Sequence, residues 1–242
     1  MLQRLRKIFK PLMHPIHRAG YPFIALFAVV AIALMVLNEF LGMVGVVLTL
    51  WCVYFFRDPA RWTPQGTGLV ISPADGIVAE VQEVELPDEI PLPYARALKI
   101  GVFMNVFDVH VNRAPCSGVI TNLGYYPGSF LDASLDKAST QNERQMVTMR
   151  TNYRHEGEEV SVGFVQIAGL VARRIICDLD EGQSLRSGER FGLIRFGSRV
   201  DVYLPVDSSV CVAVGQRMIA GQTVLGHLGD LPASGWPEVV RT

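Results

Sequence analysis

Two long uncharged runs stand at the front of the chain, and short apolar runs broken by turn residues fill the rest. Residues 21–37 carry no charge, Asn38 and Glu39 interrupt, and residues 40–56 are again uncharged. A helix needs about 20 apolar residues to cross roughly 30 Å of hydrocarbon, so each run lies at the short end of the spanning range. Together they predict a helical hairpin. Arg4, Arg6, Lys7, Lys10 and Arg18 precede the first run, and Arg57 and Arg61 follow the second. The positive-inside tendency then sets both ends of the hairpin, and the domain behind it, on the cytoplasmic side of the cell membrane. A cleaved signal peptide would show a shorter apolar stretch ending at a small-residue site. Trp51 and Tyr54 suit a membrane interface better than the core of a soluble protein.

From Gly66 onward, runs rich in Val, Ile and Leu alternate with Gly, Pro, Asp and Asn. That texture predicts strands at 69–71, 76–84, 97–103, 118–126, 145–150, 159–167, 193–196, 199–204 and 209–213. Residues 170–176 read as a strand or a short helix, and 107–112 as a turn. The expected fold is mainly β, an antiparallel sheet of barrel or sandwich type behind a membrane hairpin. The division falls into residues 1–63 and 64–242. Residues 127–143 are too long and polar for a hairpin turn, and loops of that kind are often functional.

Composition narrows the function. A formal net charge of -1 over 242 residues gives no basic face for a nucleic-acid partner. Cys52, Cys116, Cys177 and Cys211 are scattered without C-x-x-C spacing, and no ligand cluster with metal spacing is present, so no metal is expected. The punctuation of 214–225 is similar to lipoyl and biotinyl carrier domains, which makes a noncatalytic, membrane-anchored β binding module the rival reading. Such a carrier needs a lysine at a hairpin tip, and no lysine follows Lys137.

Three segments carry candidate chemistry: Ser72-Pro-Ala-Asp-Gly76, Phe107-Asp-Val-His-Val-Asn-Arg-Ala-Pro115 and Arg195-Phe-Gly-Ser-Arg199. In this order behind a hydrophobic N-terminus, they resemble the short form of the phosphatidylserine decarboxylases, over roughly residues 55–228. The resemblance implies a proenzyme that cuts itself between Gly197 and Ser198. Ser198 then becomes a covalent pyruvoyl group, so that pyruvate derived from Ser198 is the bound cofactor, and no dissociable cofactor is implied. It further implies a Schiff base with phosphatidylserine in the membrane and release of phosphatidylethanolamine. The two fragments would remain together as a heterodimer of large and small chains, with any higher homo-oligomer left open.

Chemistry fits that expectation, because no standard side chain offers the electrophilic ketone that a decarboxylation needs as an electron sink. A serine hydroxyl also needs a base and an orienting carboxylate to act as a nucleophile. By resemblance these are His110 and Asp75; read without it, His110 is a structural histidine and Asp75 an ordinary Asp-Gly turn residue. Asp108 shares a face with His110 if the segment is extended, where it orients the imidazole or caps a turn. Longer family members have a second histidine where this chain has Arg113, which leaves His110 as both base and proton donor and Arg113 as a candidate anion ligand. Arg173 and Arg174 serve either an anionic headgroup or a solvated strand edge.

Overall fold

The computed structural model describes residues 14–131, 138–169, 174–195, 197–230 and 238–242. It divides into two compact units, Met1–Ala60 and Arg61–Thr242.

In the first unit, helix α1 (Tyr21–Leu37) and helix α2 (Glu39–Phe55) are separated by Asn38 alone. Asn38 is extended, at φ -160°, and its side chain accepts a hydrogen bond from Leu41 N at 3.1 Å, which caps α2. The helices approach through small residues. A Cβ on Gly45 would stand 2.8 Å from Ala31 Cα, and one on Gly42 would stand 2.5 Å from Met35 Cα. At the open end His17 N donates to Phe56 O at 2.8 Å and Asp58 N to Pro15 O at 2.7 Å, so the entering and leaving segments are clamped together. Apolar side chains cover the outside, with Val36 83% and Phe40 72% exposed. The stretch Arg18–Leu37 is long and apolar enough to cross a membrane, whereas Glu39–Phe55 is shorter. Exposed apolar surface of this extent suits a lipid solvent and not water.

The second unit is mainly β, as the alternating pattern predicts. Its strands are β1 (Trp62–Gln65), β2 (Leu69–Ile71), β3 (Gly76–Glu85), β4 (Arg96–Met104), β5 (Val111–Arg113), β6 (Gly118–Tyr126), β7 (Arg144–His155) and β8 (Glu158–Ala168). They continue with β9 (Ile175–Cys177), β10 (Ser184–Leu185), β11 (Arg190–Ile194), β12 (Ser198–Leu204), β13 (Ser209–Val210), β14 (Arg217–Met218), β15 (Val224–His227) and β16 (Glu238–Arg241). One antiparallel sheet has the order β10-β6-β7-β8-β12-β4-β3-β14. Three smaller groups, β5-β11-β9, β13-β15-β2 and β1-β16, flank it.

Most expected strands are found; the one at 118–126 has the expected bounds, and the other long ones run further than their alternation indicates. The turn expected over 107–112 ends at Asp108, because Val111 already pairs with Leu193. The strand expected at 193–196 lies earlier, ending at Ile194 where its pairing to Ile175 ends. Strands β1, β10, β14, β15 and β16 have two to four residues each and leave too little periodicity to read. The polar stretch 127–143 holds a four-residue helix, α3 (Ala138–Gln141).

Strand β12 is central, paired with β4 on one edge and β8 on the other, and all seven of its residues are buried. Val200, Val202 and Leu204 face the main core with Ile100, Val102, Met149 and Phe164. On the opposite face Tyr203 joins a second core with Ile90, Ala97, Met146, Val165 and Ile167. That second face also carries a buried cluster of charge. Arg199 donates to Asp201 and to Glu80, while Lys99 Nζ lies 3.2 Å from Glu80 and 3.4 Å from Asp201. Ser139, on α3, completes it with a 2.8 Å hydrogen bond to Asp201. Gly101 makes the room: a Cβ there would collide with the Arg199 guanidinium. Two cations and two anions balance, which is the condition for ionised groups to persist away from water.

Burial pushes Glu80 up, but the hydrogen bond from Arg199 and the charges of Lys99 and Arg199 outweigh it and hold the carboxyl below the ordinary glutamate value. A depressed carboxyl contributes stability above its unfolded-state pKa and loses it as pH falls through the folded one. Acid titration of the folded protein should therefore show a loss of stability below the ordinary glutamate range, and Glu80→Gln should flatten that limb. Thermal melts of both proteins across acid pH check this, and parallel limbs would refute it.

Candidate active site

Four strands of the large sheet stop at one end. Ser198, the first residue of β12, pairs with Met104, the last of β4, and with Ala168, the last of β8. Ile77 pairs with Phe103, so Gly76 at the start of β3 comes to the same end. A Cβ on Gly76 would collide with the Phe103 carbonyl, which explains why the Ser72–Gly76 turn needs glycine there. The segment before it is fixed by backbone hydrogen bonds from Arg113 N to Pro73 O at 2.9 Å and from Gly221 N to Ser72 O at 2.9 Å.

His110 reaches this end by a different route. It precedes β5, which pairs antiparallel with β11, and Ile194 N donates to His110 O at 3.3 Å. Gly197 follows shortly after β11 in the chain, and its N–H donates to His110 Nε2 at 3.4 Å. Because an N–H can only donate, Nε2 must carry the lone pair. The proton then resides on Nδ1, which lies 3.1 Å from the main-chain carbonyl of Asp108. The imidazole is fully buried. The unprotonated nitrogen of a buried histidine thus meets the main chain of Gly197 on the residue's N-terminal side, one residue before Ser198.

Gly197 has φ +71°, in the left-handed region, and among the described residues, its chain neighbours aside, none comes within 4 Å of where a Cβ would stand. Ser198 is fully buried, and its Oγ lies 4.0 Å from Met104 Sδ. Asn112 Nδ2 lies 3.7 Å from the same sulfur. Gln166 Nε2 in turn donates to Asn112 Oδ1 at 2.9 Å, and Gln166 Oε1 is buried with no hydrogen-bond partner among the described residues.

The acidic residues are arranged differently from one another. Asp75 accepts from Arg61 Nη2 through both oxygens, at 2.8 and 3.0 Å, and from Ala220 N at 2.8 Å. Burial raises its carboxyl above the ordinary aspartate value, Arg61 and the Ala220 N–H oppose this, and the charge of Asp108 adds to the rise. Asp108 and Asp75 are therefore electrostatic neighbours. Asp108 meets His110 through its main-chain carbonyl and not through the side chain expected to share a face with it. Its carbonyl faces the imidazole, while its carboxylate accepts from Asn105 N at 2.9 Å and from Arg217.

The arginines divide. Arg113 is buried and donates to Gly188 O at 2.8 Å and Thr242 Oγ1 at 2.9 Å, so its guanidinium ties segments together within the protein. Arg174 is exposed, and its charge is felt by Arg195. Arg173 lies outside the described residues. Arg61 escapes notice as a site residue because in sequence it is one more basic flank to the hairpin. Asn112, Met104 and Arg217 escape it because only strand register brings them to this end.

A fixed tautomer follows from these contacts. Ring-nitrogen NMR of labelled His110 should show a protonated Nδ1 and an unprotonated Nε2 near neutral pH; the reverse pattern would contradict the assignment.

A family model described as phosphatidylserine decarboxylase matches residues 48–226. A phosphatidylserine decarboxylase proenzyme of Rickettsia bellii (strain OSU 85-389) is 50% identical over 223 residues, covering 92% of this chain and 94% of its own. The protein of the same description from Rickettsia felis (strain ATCC VR-1525 / URRWXCal2) is 51% identical over 223 residues, with the same coverage. That from Rickettsia akari (strain Hartford) is 51% identical over 221 residues, covering 91% of this chain and 94% of its own.

Proposed function

The chain belongs to the phosphatidylserine decarboxylase family and is an enzyme that decarboxylates phosphatidylserine, and we propose that it does so through a pyruvoyl group made from its own Ser198. The observation that carries this reading is the contact of buried His110 with the residue that precedes Ser198, Gly197 N–H to His110 Nε2 at 3.4 Å. The residues present fit the group. Gly197 leaves its carbonyl unshielded by a side chain, and Ser198 begins a strand held on both edges, so a new terminus there stays in place after the bond is cut. The description of the relatives as proenzymes agrees with a maturing cut.

In this mechanism His110 Nε2 exchanges the Gly197 N–H for the Ser198 hydroxyl and takes the proton of Ser198 Oγ as the oxygen attacks the Gly197 carbonyl carbon. The Gly197–Ser198 C–N bond breaks, its nitrogen becomes the amine of Ser198, and an ester joins the two residues. Loss of the Ser198 α-proton expels the Gly197 carboxylate, and water then replaces the nitrogen, which leaves as ammonia. The resulting pyruvoyl group supplies an electrophilic ketone for the substrate's amine and an electron sink for the bond to the departing carboxylate. His110 Nε2 is also the proton store for the substrate carbon once carbon dioxide has gone. The Asp108 carbonyl holds the ring, and Asp75 contributes a buried negative charge at the same end of the sheet. Arg174, exposed beside Arg195, receives the phosphate of the headgroup.

The substrate is a membrane lipid, and the apolar helix Arg18–Leu37 is suited to keep the enzyme where that lipid resides. The basic flanks support a cytoplasmic side of the cell membrane for the catalytic unit, by the positive-inside tendency. The products of the cut, residues up to 197 and residues from 198, remain together as one heterodimer.

Intact mass spectrometry of wild type beside Ser198→Ala tests the reading. Wild type should give two fragments split before residue 198, the smaller with a pyruvoyl-blocked N-terminus, and Ser198→Ala one whole chain without decarboxylase activity. A whole but active wild type would overturn the pyruvoyl mechanism, and a whole, inactive one would favour a binding module.

A further inference from the structure

Asp75 is gripped by a residue that the mechanism above does not use. Arg61 Nη2 meets both of its oxygens, and the two side chains are only 12% and 11% exposed. The guanidinium is itself held from behind. Arg61 N donates to Thr242 O at 2.8 Å and Arg61 O accepts from Thr242 N at 2.7 Å, which extends the β1-β16 ladder by one pair. Its Nη1 reaches Gln222 Oε1 at 3.3 Å, and its Nε is buried with no hydrogen-bond partner among the described residues.

The charges around Asp75 come from several elements. Asp108, in the turn after β4, is negative; Arg217 of β14 is held by Asp108; the Ala220 N–H comes from the segment after β14; and His110 stands on the main-chain side of Asp108. Burial and Asp108 both favour the neutral acid, and Arg61 is the cation in direct contact that opposes them. We propose that Arg61 is a positioning residue for self-cleavage, which keeps the Asp75 carboxylate in place and charged while the Gly197–Ser198 bond is cut. The inference rests on the reading of Asp75 given above.

The test uses the full chain made by cell-free synthesis in detergent, followed across a pH series by the fraction split before Ser198. An opposite charge at this range lowers a carboxyl pKa by roughly 1–3 units. Arg61→Gln removes that influence, so the pH below which cleavage fails should move upward by about 1–3 units, with cleavage little affected well above it. Arg61→Lys, which keeps the charge but loses the planar fork, should fall between Arg61→Gln and wild type. If circular dichroism shows Arg61→Gln unfolded, Arg61→Lys decides alone, since even the weaker grip should raise the limb. An unshifted limb in the folded variants would overturn the inference. Asp75→Asn separates the two failures. If it cleaves like wild type, the role of Asp75 fails and Arg61 with it; if it is inert while Arg61→Gln is unshifted, only the role of Arg61 fails.

Discussion

Pairing of β12 on both edges is the constraint from which the rest of the site follows. A strand at the edge of a sheet can shift by two residues at modest cost, but one held by β4 and β8 together cannot, because both ladders would have to break. Ser198 is therefore fixed against Met104 and Ala168 to within the tolerance of backbone hydrogen bonds. The same register sends Arg199 and Asp201 to the opposite face, where buried ion pairs with Glu80 and Lys99 oppose a one-residue slip that would turn them into the main core.

Around that fixed point the polar groups are held mainly by backbone. The imidazole is oriented by a main-chain carbonyl, Asp75 by a main-chain N–H as well as by Arg61, and Asp108 by Asn105 N as well as by Arg217. Main-chain donors cost no side-chain entropy to position and cannot lose their hydrogen-bonding capacity by titration. This allows two carboxylates and a histidine to stand close together in a buried region with their geometry preserved.

Much of this is legible in the sequence, for identifiable reasons. The hairpin is readable because an unbroken apolar run of that length is at home in lipid and in few aqueous settings. The long strands are readable because alternation accumulates over nine or more residues. The three short motifs that hold the candidates Ser198, His110 and Asp75 stand out in sequence, and the fold brings all three segments to one end of the sheet. Arg61 and Arg113 are not readable, because an arginine's role depends on what faces it, and Thr242, which lies beside both, is far away in sequence. Short strands such as β14 and β16 exist only as complements to β3 and β1, so nothing local announces them.

Strand order also decides how the two sides of the Gly197–Ser198 bond hold together. Beyond residue 198, β12 lies between β4 and β8, β14 beside β3, β15 beside β2 and β16 beside β1, all partners from earlier in the chain. The shorter half adds its residues to cores built mostly by the longer one, and the two are interleaved like the fingers of clasped hands. A molecule cut at that point would keep the partner it was synthesised with for as long as it stays folded. Halves from two different copies could not trade places without global unfolding, so each pairing would be settled once, at folding, with one-to-one stoichiometry and no encounter step.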